Sequence, residues 1–144
     1  MIDKETRDAI VEYRMENARK TLNDIPILVE HEMWNTAVNR LYYACFFAVS
    51  ALLISIHIET QTHTGARRML ALHFTKTKKL SIKLSKFYTD LFENRQSSDY
   101  ADFIYFDKET VEELYKQSII FVDTIEKLRN DIDLNNNTYN HINS

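Results

Sequence analysis

One glycine and one proline serve a chain of 144 residues. Sheet-rich folds need a turn about every 8–12 residues, and turns draw heavily on Gly and Pro. Gly65 and Pro26 cannot supply them. Long helices joined by short polar links are what such a chain can build. At 44% hydrophobic, it carries enough apolar matter for one core and one domain.

Apolar residues recur at helical spacing. Val11, Met15, Ala18, Leu22 and Ile25 line one face of a first helix from about Asp3 to Asp24, with Asp3 as N-cap and Pro26 as its stop. A second helix spans about Leu28 to Ile56. Trp34, Val38, Leu41, Cys45, Val49, Leu52 and Ile56 form one stripe, and Ala37, Ala44, Ala48 and Ala51 a smaller one beside it. Beyond Arg40 this helix is apolar all round, so it must be surrounded. A short third helix covers about Gly65 to Thr75. A fourth, Ser81 to Arg95, buries Leu84, Phe87 and Leu91. Gln96 to Phe106 has no helical period and reads as an ordered, aromatic-packed loop. A fifth helix starts at Asp107, with Val111, Leu114, Ser118, Val122, Ile125 and Leu128 inward. The expectation is an all-α bundle of four long helices plus one short one over residues 1–130, and a flexible polar tail over 131–144.

Charge and composition narrow the function. A net charge of −3 and a pI near 5.9 argue against a broad duplex-binding footprint, though not against a local basic site. The uncharged run Leu41–Ile56 is shorter than the roughly 20 residues of a spanning helix and contains Tyr42, Tyr43, Ser50 and Ser55, so it reads as a buried core helix. The charged N-terminus resembles a helix start rather than a signal peptide. A cytoplasmic location is expected. A single Cys45 excludes an internal disulfide and a cysteine-only zinc site. No metal or cofactor is expected: no histidine pair stands at helical i, i+4 spacing, and one glycine makes no phosphate loop.

Arg95 is the first candidate functional residue. It falls on the fourth helix's apolar stripe, where a guanidinium has no obvious route to solvent. It is either a snorkelling or ion-paired structural residue, with Asp99 or Asp102 as partner, or an anion site suited to its planar five-donor group. Asn94 precedes it; Asp99 and Tyr100 follow. On the second helix, Arg40, Tyr42 and Tyr43 sit where the chain passes from polar to buried. They form either a set of satisfied core tyrosines with a surface arginine or a polar floor beneath Arg95. Thr62-His63-Thr64-Gly65 opens the third helix, as a capping turn or as an anion-attracting helix start.

Three blocks together resemble the HEPN domain (higher eukaryotes and prokaryotes nucleotide-binding) in its small stand-alone prokaryotic form. They are Asn39-Arg40-Leu41-Tyr42-Tyr43-Ala44-Cys45-Phe46, Thr62-His63-Thr64-Gly65, and Leu91 to Phe103, which holds Asn94-Arg95-Gln96-Ser97-Ser98-Asp99-Tyr100. The resemblance implies an up-and-down bundle that forms a homodimer, working beside a minimal nucleotidyltransferase in a toxin–antitoxin or defence pair. Many HEPN members are metal-independent RNases whose signature is an Arg, four to six residues, then a His. Arg95 matches the Arg. Tyr100 stands after four intervening residues, and no histidine lies between Arg95 and His141. A histidine carries protons near neutrality, which a tyrosine of pKa about 10 rarely does. Two functions follow. One is binding or cleavage of RNA or nucleotide phosphates by Arg95, Asp99 and Tyr100, with Asn94, Arg40, Tyr43 and His63 as binding residues. The other is a non-catalytic module that docks the nucleotidyltransferase.

Overall fold

The computed structural model describes the backbone over residues 2–100 and 106–142, and the side chains over 2–96 and 106–136. The helices are α1 (Lys4–Glu30), α2 (Trp34–Ser55), α3 (His63–Leu70) running into a π-helical turn (Ala71–Thr75), α4 (Ile82–Tyr100) and α5 (Lys108–Ile142). Among the described residues there is no strand.

Side-chain caps start four of these helices. Asp3 Oδ1 accepts from Thr6 N, Thr62 Oγ1 from Gly65 N, Ser81 Oγ from Leu84 N, and Asp107 Oδ1 from Thr110 N. Each such cap is worth about 1 kcal/mol. Chain reversals after α1, α2 and the π turn share another device. Glu32, His57 and Lys78 take left-handed φ values of 55°, 68° and 65°. At each, two backbone N–H groups fold back onto the last carbonyls: Met33 N to Leu28 O, Ile58 N to Leu53 O and Lys79 N to Phe74 O close the wider loops. This is the Schellman arrangement, usually built on glycine. Here three ordinary residues carry it.

Several helix limits differ from the sequence expectation. Pro26 lies inside α1 rather than ending it. A proline removes one helical hydrogen bond. Against that, Ile25 is fully buried, and Leu28 and Val29 pack on the core one turn further along. Consequently α2 begins at Trp34, not near Leu28. The fourth helix continues through Gln96 to Tyr100, where an aperiodic loop is expected. Likewise α5 continues past Asp131 through the stretch expected as tail. Polar residues prolong a helix that packing has already nucleated, and such extensions carry no apolar stripe.

Cross-helix pairs fix the directions. On the α1–α2 seam, Arg14 meets Ser50 and Thr21 meets Arg40. On the α1–α5 seam, Arg129 meets Glu12 and Arg19 meets Asp123 and Glu126. Numbers rise on one partner as they fall on the other, so α1 is antiparallel to both α2 and α5. The bundle is up-and-down, with α2 at its centre. Leu41, Tyr42, Ala44, Cys45, Ala48, Val49, Ala51 and Leu52 are all 0% exposed. The alanine stripe lets neighbouring helices approach closely. By length and composition α2 could cross a membrane, but most of it is buried by the other helices of the bundle.

Candidate functional site

Where α2 faces the end of α4, the core changes character. Aliphatic packing gives way to a cluster of aromatic rings with one imidazole and two guanidiniums. Tyr42 is fully buried and central. Its ring stacks on Tyr88 at 5.8 Å and meets Phe92 at 5.5 Å, Tyr43 at 5.4 Å and His63 at 5.4 Å. Its hydroxyl lies 2.7 Å from His63 Nδ1. A buried tyrosine needs such a partner for its O–H.

Arg95 reaches this cluster from α4. Its Nη2 donates to Tyr43 Oη at 3.1 Å, and its guanidinium lies over the rings of Tyr43 at 5.3 Å and Tyr42 at 5.6 Å. The residue is half-buried. Two ring faces and a hydroxyl hold the guanidinium plane in one orientation, as an arginine poised for bidentate anion binding requires. Helical spacing explains the reach. Tyr88, Leu91, Phe92 and Arg95 recur at intervals of three, one and three, and so share the face that α4 turns to α2.

His63 enters from the first turn of α3. Its ring lies against Phe46 at 4.6 Å and meets Tyr43 at 5.8 Å and Phe92 at 6.1 Å. One turn on, the Arg67 guanidinium sits 5.1 Å over Phe92. Thr62 anchors this turn. A Cβ on Gly65 would come within 3.0 Å of the Thr62 hydroxyl that caps the helix, so the glycine leaves room for the cap. The Thr62 block is thus a capping turn, and what it brings to the site is the His63 side chain.

Burial shifts the titrations. The Tyr42 hydroxyl is pushed up to about 12, chiefly by loss of solvent. Tyr88 is raised well above its ordinary value for the same reason. His63 is held below its ordinary 6.5, first by burial and then by the Arg95 cation. At pH 7 and above the imidazole is therefore uncharged, beside the Arg95 guanidinium.

Arg95, Tyr43 and His63 come together as one site. Arg40 does not join them: its Nη2 reaches Thr21 on α1 at 3.4 Å. Asn94 is half-buried beside Arg95 on α4. The side chains of Asp99 and Tyr100, and all of Asp102, lie outside the described residues. Sequence reasoning left Tyr42 out of the binding set and passed over Phe92 and Arg67. A signal for Arg67 existed, since it stands four residues after His63 and so on the same helical face.

The sequence comparisons fit this geometry. The HEPN domain profile matches residues 11–128, which takes in every element of the cluster. The chain belongs to the HEPN domain family. A UPF0332 protein of Thermotoga maritima is 37% identical over 126 residues, covering 88% of this chain and 96% of its own length. Two proteins of Methanocaldococcus jannaschii, both named as candidate toxins, are also similar. One is 33% identical, over 81% of this chain and 80% of its own length; the other is 29% identical, over 92% and 97%. Among the described residues, the histidine that stands with Arg95 at Tyr42 and Tyr43 is His63 of α3.

Proposed function

We propose that this HEPN domain engages RNA or nucleotide phosphates through Arg95, as the toxin member of a pair with a minimal nucleotidyltransferase. The observation that carries the reading is the Arg95 guanidinium set over Tyr42 and Tyr43 beside His63. A planar donor fork held by ring faces recognises a phosphate. The relatives named as candidate toxins support a toxic role. The overall charge of −3 suits a local phosphate site rather than a long duplex track. The test is expression of the chain alone, scored for growth arrest and RNA integrity, beside an Arg95→Ala variant. Arrest that needs Arg95 supports the reading, and arrest indifferent to it removes Arg95 from the function.

A symmetric homodimer belongs to the same proposal. Ile82 and Ile120 are 78% and 50% exposed, and a groove between α4 and α5 places Leu84, Phe87 and Ile120 together as an apolar strip among charged residues of both signs. A two-fold contact would use that apolar strip twice. Sedimentation at tens of micromolar tests it, and a monomer there counts against it.

A further inference from the structure

The geometry points to His63 as the proton carrier of the Arg95 site, with Tyr42 as its positioning residue, so that α2, α3 and α4 together build a site that cleaves RNA. This inference rests on the reading of Arg95 as a phosphate anchor and adds the reaction to it.

Three observations support it. First, His63 and Arg95 share both tyrosines. The imidazole meets the Tyr42 and Tyr43 rings at 5.4 and 5.8 Å, and the guanidinium lies over the same rings at 5.6 and 5.3 Å. The Arg95 charge acts on the imidazole, so the two groups are neighbours in the cluster. Second, the imidazole is oriented. Phe46 flanks its ring, and Nδ1 is engaged by Tyr42 Oη at 2.7 Å, which leaves Nε2 for a ligand. A base held by a third group is the general design of an activated proton-transfer pair. Third, the imidazole is the group suited to the task. Tyr42 keeps its proton well above neutrality, Tyr43 accepts from Arg95, and Arg67 is set over Phe92. Burial and Arg95 keep His63 neutral, the form that accepts a proton.

The reaction follows from those parts. In the tautomer that acts, Nδ1–H donates to Tyr42 Oη and Nε2 takes the proton of a ribose 2′-hydroxyl. The 2′-oxygen forms a bond to the adjacent phosphorus as the bond from phosphorus to the 5′-oxygen breaks. Arg95 stabilises the charge that develops on the phosphoryl oxygens. The departing 5′-oxygen takes a proton from water, and His63 later returns its own to solvent. The products are a 2′,3′-cyclic phosphate and a 5′-hydroxyl, with no further reactant required.

The experiment uses the purified full chain with a labelled mixed-sequence oligoribonucleotide and its all-2′-deoxy counterpart. Binding and cleavage are measured for the unaltered protein, His63→Gln, Tyr42→Phe and Arg95→Ala, with thermal melts to confirm folding. The ribo strand is cut to cyclic-phosphate ends and the deoxy strand is not. His63→Gln lowers the cleavage rate about 10²–10⁴-fold while RNA affinity stays within a few fold. Tyr42→Phe lowers it less and moves the pH of half-maximal rate. Arg95→Ala loses both binding and cleavage. Cleavage by a folded His63→Gln at the unaltered rate overturns the inference and leaves the RNA reading standing. So does binding without cleavage by the unaltered protein. If that protein neither binds nor cleaves, both fall. Should His63→Gln not fold, the unaltered protein's rate profile decides: it rises with pH to a plateau with a midpoint below 6.5, and a flat profile over that range overturns the inference.

Discussion

Arginines hold two parts of this molecule together, and they do so differently. On the α1–α5 seam, Arg19 bridges Asp123 and Glu126, each at 2.6 Å, and Arg129 pairs with Glu12. Where α2 meets α4, Arg95 rests on the faces of Tyr42 and Tyr43 and donates to a phenol hydroxyl. A carboxylate neutralises a guanidinium, whereas a ring face orients its plane. The seam thus fixes the direction of two helices, and the tyrosine cluster fixes one functional group. An arginine is read by its partners, not by its charge alone.

The largest expected effect falls on the cluster. Arg95→Ala should weaken RNA or nucleotide binding by roughly 1.5–3 kcal/mol, or about ten- to more than a hundredfold. The bundle should stay folded, losing about 1 kcal/mol, because Tyr88 and Leu91 still anchor α4. Arg95→Lys keeps the charge but loses the fork, and should fall in between. Filter binding beside thermal melts separates the two quantities. An Arg95→Ala protein that is unfolded, beside a folded Arg95→Met protein that binds fully, would collapse the distinction between the regions.

Next comes the seam. Arg19→Ala and Arg129→Ala should each cost at most about 1 kcal/mol of stability and leave binding unchanged. Asp123 and Glu12 are solvent-exposed and Glu126 is partly so, and such pairs are screened. The loss should shrink in high salt, where a contact with ring faces changes less. Denaturant melts at low and high salt measure this. A seam variant that loses RNA binding while folded would mean that the two regions are not separate.

How much of this was legible in the sequence differs between the regions too. The inner faces of α1, α2 and α5 were readable, since Val11 to Ile25, Leu41 to Leu52 and Val111 to Ile125 bury as their spacing requires. So was the placement of Arg95, which continues the apolar stripe of α4 and turns to α2 with it. The helix ends were not. Pro26 looked like a stop, but burial of Ile25, Leu28 and Val29 overrides it. The true stops at Glu32, His57 and Lys78 carry no glycine, so no residue type announces them. The grouping of His63 with Arg95 came from the family resemblance and from no local pattern, because it depends on how α3 turns back onto α2.

Those hidden stops give the third prediction. Glu32→Gly and Lys78→Gly should each stabilise the protein by about 0.5–1 kcal/mol, because glycine meets no Cβ penalty at positive φ. Neither change touches the seam or the cluster, so binding should not move. Melts that fall instead would show that the two side chains contribute more than their backbone strain removes.

The smallest expected effect comes from pH, and it separates the regions by which groups titrate. His63 has its pKa lowered in the folded state, by burial first and Arg95 second. The unfolded chain, with its histidine at the ordinary 6.5, then binds the proton more readily. Stability from this source is fully present above pH 6.5 and is lost as pH falls from there through the lower folded value. The seam's ion pairs are built from arginines and carboxylates, with no histidine among them. Asp3 and Asp107 are lowered by their capping bonds, so their own loss begins only at more acid pH. Melts at about pH 7.5 and 5.5 should therefore differ for the unaltered protein and differ less for His63→Gln. Arg95→Ala should narrow the difference only in part, because burial, the larger cause, remains. If His63→Gln keeps the whole pH dependence, the groups that sense pH lie outside the tyrosine cluster, and the imidazole there is not held in its neutral form by its surroundings.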